Sequence, residues 1–179
     1  TRSLCDWSSD VCSSDLAFKV ASMTVFIDGE KASKHYRSFR IKTVEGANDF
    51  ASIKEALNRR LLRLKENTDI SFKEKPDLII VDGGKGQVAY AKQALEECGF
   101  ADIPLIGLAK KEEIIIKSDG SELILPKNSF ALMILQRIRD EAHRFAINYH
   151  RKLRESNSFE SKLKAIEGVG PSTIKALFK

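Results

Sequence analysis

Hydrophobic and polar positions alternate from Val20 to Ile27, the period of a strand. Asp28-Gly29 follows as a hairpin signal, and Lys34 to Ile41, with Tyr36, Phe39 and Ile41, predicts the returning strand. Gly46 to Asp49 forms a loop able to cap a helix from about Asp49 to Lys65, with Phe50, Ile53, Leu57 and Leu61 on one face. Leu78-Ile79-Ile80-Val81 is wholly apolar and stops at Asp82-Gly83-Gly84, as suits a strand covered on both faces. A helix from about Gln87 to Cys98 and a strand from Pro104 to Leu108 come next. Glu113 to Lys117 and Glu122 to Leu125 flank Asp119-Gly120, a second hairpin. Ser129 opens a long helix to about Arg154, striped by Leu132, Leu135, Ile138, Ala142, Phe145 and Tyr149. Asn157 and Ser158 read as a linker, and Leu163 to Leu177 as helix, Gly168-Val169-Gly170, helix. Hairpin strands followed by strands alternating with helices predict an α/β domain with a mixed sheet, then a small helical unit.

Composition agrees with that class. At 42% hydrophobic and 31% charged residues, the 179-residue chain can bury a core and stay soluble. No apolar run approaches the ~18 residues of a spanning helix, so no membrane partner is expected. The net charge of +5 is concentrated: residues 137–179 carry ten basic and five acidic side chains, the whole of the excess. A neutral body with a basic end fits a nucleic-acid contact, or a solvated helix and tail. Three cysteines, Cys5, Cys12 and Cys98, make no disulfide framework or zinc spacing. A reduced, cytoplasmic setting without a secretory leader is expected.

The first sixteen residues stand apart. TRSLCDWSSDVCSSDL has neither helical nor strand period, and Cys5 to Leu16 resembles a translated sequencing adapter joined to a broken reading frame. Residues 1–16 are therefore expected to be non-native and are left out of the fold expectation, although Ser9-Asp10-Val11-Cys12 leaves a strand possible. The closing ALFK stops in mid-pattern, so a fragment of a longer protein is expected.

Asp82 ends a buried strand, at the edge where open α/β sheets bind ligands. A carboxylate there suits a hard divalent cation, or simply a turn before a glycine pair. Gly83 to Gln87 is not a Walker loop, although phosphate could dock at the following helix N-terminus. On the long helix, Gln136, Arg139, Asp140, His143, Ile147 and His150 share the side away from the apolar stripe. His143 among these charges could bind metal or move a proton, or be a surface histidine. Asp49 is a helix cap or a neighbour of a metal site. Gly168-Val169-Gly170, ringed by Lys164, Lys175 and Lys179, offers backbone N–H groups to phosphate, or is a plain helix connection.

VASMTVF, YRSFRIK, PDLIIVDGGKGQ, IPLIGLAKKEE, LPKNSFALMILQRIRDEAHRFAINYHRKLR and LKAIEGVGPSTIKALF together resemble the C-terminal half of the UvrC family. The likeness runs from about Val20 to the end of the chain. It implies an RNase H-like endonuclease domain over residues 17–155 and the start of a helix-hairpin-helix DNA-binding unit over residues 156–179. It implies cutting of damaged double-stranded DNA 5′ to the lesion, with a divalent metal, Mg²⁺ or Mn²⁺, and with UvrB as partner of the intact protein. Family aspartates fall on Asp82 and, in the loop before the first helix, on Asp49; the family histidine falls on His143. The family's first catalytic aspartate precedes the alanine of VAS by eleven residues, which counts to Asp10 here, inside the adapter-like stretch. Lys85, Arg139, Arg144, Gly168, Gly170 and Lys175 are the expected DNA contacts. Two other readings remain open: a DNA-binding fragment that cuts nothing, and an unrelated nucleotide-binding protein using the DGGKGQ turn.

Overall fold

The computed structural model describes residues 3–10, 20–42, 48–66, 74–109 and 113–164. Its strands are β1 (Ser3–Asp10), β2 (Val20–Ile27), β3 (Glu30–Lys31), β4 (Arg37–Arg40), β5 (Leu78–Asp82), β6 (Leu105–Ala109), β7 (Ile114–Lys117) and β8 (Glu122–Leu123). Its helices are α1 (Asp49–Glu66), α2 (Lys85–Cys98) and α3 (Phe130–Lys164). The strands form one mixed sheet in the order β3-β2-β1-β5-β6-β7-β8, with β4 also paired to β2. β1, β5 and β6 run parallel; the other pairings are antiparallel.

Local chemistry explains most of these elements. Asp28 and Gly29 both hold positive φ, 51° and 81°, the conformation that a tight hairpin turn needs. The chain does not return at once as a long strand. A short β3, a 3₁₀ turn at Ser33–His35 and then β4 replace the predicted Lys34–Ile41 strand. Asn48 Oδ1 accepts a hydrogen bond from the Ala51 N–H at 3.1 Å and caps α1. Gly99, at φ 81°, ends α2 in the left-handed conformation.

Alternation along the strands splits the core in two. Ile79 and Val81 pack with α1 and α2 through Ile53, Leu57, Leu61, Val88, Ala91 and Leu95. Ile80 points the other way, into a cluster with Phe26, Leu108, Ile115, Leu135 and Ile138, so α3 covers the second face.

Residues 3–10 form β1, between β2 and β5. The slot between those strands demands backbone N–H and C=O groups, and any sequence supplies them. Asn157 and Ser158 are not a linker but lie within α3. No Gly or Pro interrupts residues 130–164, and Asn and Ser cost a helix only tenths of a kcal/mol (roughly 0.5). The chain divides into two compact units, residues 1–146 and 147–179. Gly168, Gly170 and Lys175 lie outside the described residues.

Candidate active site at the carboxyl edge of the sheet

Asp82 is the last residue of β5, near the middle of the sheet. It follows Ile80 in the alternation and therefore lies on the α3 face, and its Oδ1 atom is buried. The turn behind it is tightly built. The Gly83 N–H donates to the Leu108 carbonyl at 3.1 Å, and the Gly84 N–H to Gln87 Oε1 at 3.0 Å, which closes the N-terminus of α2. Opposite, a Cβ on Gly107 would stand 2.7 Å from the Gly83 carbonyl oxygen and 2.4 Å from Val88 Cγ2. Only glycine lets β6 approach so closely, which fixes where Asp82 ends.

As far as Ala146, α3 lies across the sheet with two differently furnished sides. On one, Gln136 Nε2 donates to both carboxylate oxygens of Glu113 at 2.6 Å, and Arg139 Nη2 stands 3.6 Å from Glu113 Oε1. Asp82 is level with Leu108, and Leu108 with Ile115, so Glu113, just before β7, marks the carboxyl edge where Asp82 ends. His143 follows Arg139 by one turn on this side and is exposed. Asp82 and His143 thus lie on the same face of the sheet and toward the same edge.

The other side of α3 faces the opposite edge. Arg137 reaches Glu30 at 3.2 Å. Glu141, 3% exposed, accepts from Lys31 Nζ at 2.6 Å, from Arg144 Nη2 and Nε at 2.6 and 2.9 Å, and from the Tyr36 hydroxyl at 3.2 Å. Hydrogen bonding to Arg144 overcomes burial and pulls its carboxyl down to about 2. Burial and the neighbouring Glu141 push the Tyr36 phenol well above its ordinary range.

The remaining candidates are dispersed. Asp10 ends β1, next to β5, and pairs with Val20. Asp49 is the first residue of α1, which packs on the face opposite Asp82. Lys85 Nζ is 2.8 Å from Glu122. The fork of Arg144, an exposed side chain, is engaged by Glu141.

Residues 8–147 match the sequence profile described as the UvrC RNAse H endonuclease domain. The chain belongs to the UvrC RNase H endonuclease domain family. Its relatives include UvrABC system protein C of Moorella thermoacetica, 49% identical over 90% of this chain and 26% of that protein. The Bdellovibrio bacteriovorus protein of the same name is 44% identical over 94% of this chain and 28% of that protein. The chain thus spans about a quarter of the length of the curated relatives it matches. Among solved structures, human ENDOV superposes with a TM-score of 0.45 and 18% identity, covering 73% of this chain and 51% of that one.

In this UvrC domain, Asp82 brings a carboxylate and His143 an imidazole to one face of the sheet, donor types that suit a divalent cation. Among the described residues no group of three or more His, Cys, Asp and Glu side chains gathers around one point. No described helix is long and apolar enough to cross a membrane. Sequence reasoning missed Glu113 and Glu141. The left-handed backbone at Glu113, φ 53°, has no local signal, and Glu141 sits on a helix turn that reads as charged surface.

Proposed function

We propose that this chain is the incision domain of an excision-repair endonuclease, which hydrolyses a phosphodiester of damaged double-stranded DNA on the 5′ side of the lesion. The reading is supported above all by Asp82 and His143, which face one edge of one sheet face in a UvrC domain. Asp82, with an aspartate of the natural first strand, would hold Mg²⁺ or Mn²⁺, and His143 would complete the coordination or carry a proton at its imidazole. The bound cation supplies Lewis acidity and an ionised water near neutral pH. Arg139 and Lys85 would bind the flanking phosphates without reading sequence. In the intact protein UvrB would deliver the damaged duplex, in the cytoplasm.

The test is nicking of a lesion-bearing duplex with Mn²⁺ or Mg²⁺. Asp82→Asn and His143→Ala should each cut the rate at saturating DNA by about a hundredfold or more. Nicking that survives Asp82→Asn removes this site. A second reading, a fragment that binds DNA without cutting, rests on the adapter-like sequence of β1. It predicts duplex binding with no nicking, restored when the natural first strand is rebuilt.

A further inference from the structure

We propose that Glu113 is a positioning residue of the incision domain. It sets the rotation of α3 about its axis so that Arg139 and His143 face the edge at which Asp82 ends. The inference rests on the nuclease reading for the role of Arg139 and on geometry for the rest.

Glu113 lies just before β7, one step beyond Ile114, which pairs with Ala109. It alternates with Ile115, whose side chain packs beneath α3. Its φ of 53° lies in the left-handed region, which a non-glycine residue enters rarely and holds where its surroundings demand it. That backbone delivers the carboxylate to α3, where both oxygens take Gln136 Nε2 at 2.6 Å and Arg139 Nη2 stands 3.6 Å from one of them. Gln136, Arg139 and His143 are spaced by three and four residues, so pinning the first two fixes the azimuth of the third. Around the helix, Glu141 is tied to Lys31 and Tyr36. α3 is thus held on both sides, and the Glu113 side is the one that bears the candidate chemistry.

The experiment measures duplex DNA binding by this chain over a range of salt without metal, together with thermal unfolding. Glu113→Gly keeps a backbone at ease with positive φ and removes the carboxylate. Deleting a negative charge near DNA would by itself tighten binding. Positioning predicts the reverse: a wild-type melting temperature, weaker binding, and a salt slope shallower by about 0.9, the loss of one phosphate contact at Arg139. The double variant Glu113→Gln with Gln136→Glu keeps the net charge and an amide–carboxylate pair, and should restore affinity and slope. Unchanged or tighter binding by Glu113→Gly, or a swap that restores nothing, overturns the proposal. Nicking is scored separately. A wild-type chain that binds DNA through Arg139 but never nicks loses the nuclease reading alone. Where nicking is present, Glu113→Gly should lower kcat as well, and the swap should return it.

Discussion

Arg144 forks onto Glu141 across one turn of α3, with Nε 2.9 Å from Oε2 and Nη2 2.6 Å from Oε1. The pair is completed from elsewhere in the chain by Lys31 and Tyr36, 110 and 105 residues away. A carboxylate 3% exposed survives burial because two cations and a hydroxyl surround it.

The cluster makes stability acid-sensitive. The Glu141 carboxyl sits at about 2 in the fold, below its ordinary 4.5. Its contribution is therefore complete above pH 4.5 and is lost as pH falls toward 2. The loss should reach about 3 kcal/mol, read from urea unfolding across that window. Glu141→Gln should be less stable at pH 7 and show a flatter profile. An equal slope in the variant would assign the acid loss to other carboxylates.

Gly107 and Gly84 should respond unequally to the same small change. In Gly107→Ala the new methyl meets the Gly83 carbonyl oxygen at 2.7 Å. About 1–3 kcal/mol of stability should go, and nicking with it, because the strain falls on the turn behind Asp82. In Gly84→Ala the nearest atom is Ile116 Cδ1 at 4.0 Å, and φ is −93°. Gly84 is the N-cap of α2, where alanine is less favourable than glycine, so that variant should lose no more than about 1 kcal/mol. Chemical denaturation of both checks the contrast.

Ile138, on the core-facing side of α3, is fully buried in the cluster with Ile80, Leu108 and Leu135. Ile138→Ala should cost about 2–5 kcal/mol, seen as a lower denaturant midpoint. A cost under about 1 kcal/mol would mean that α3 does not depend on this contact.

Lys85 forms an exposed pair with Glu122, 64% and 46% accessible, so Lys85→Ala should leave the melting temperature nearly unchanged. If Lys85 contacts a phosphate, duplex affinity should fall and the salt slope shrink by about 0.9. An unchanged slope removes Lys85 from the interface.

Several features are legible in a few neighbouring residues. Ile79 to Val81 announce a strand buried on both faces, Asp28-Gly29 a tight turn, and the stripe from Leu132 to Ala142 a helix lying on a core. Asp82 and His143 are legible as chemistry by residue type, motif and resemblance. Their common face depends on the alternation of β5 meeting the phase of α3, which no local window contains.

The sequence by itself determined the periodic elements, the glycines of the turns and the family, because those signals span only a few residues or one continuous motif. Only the tertiary structure decided that Ser3–Asp10 forms an inner strand, that Glu113 turns left-handed beneath α3, and that Glu141 is buried among residues from the first hairpin. Each of these depends on partners distant in the chain. A residue's composition and period carry no information about which backbone edge, amide or cation will stand opposite it once the layers close.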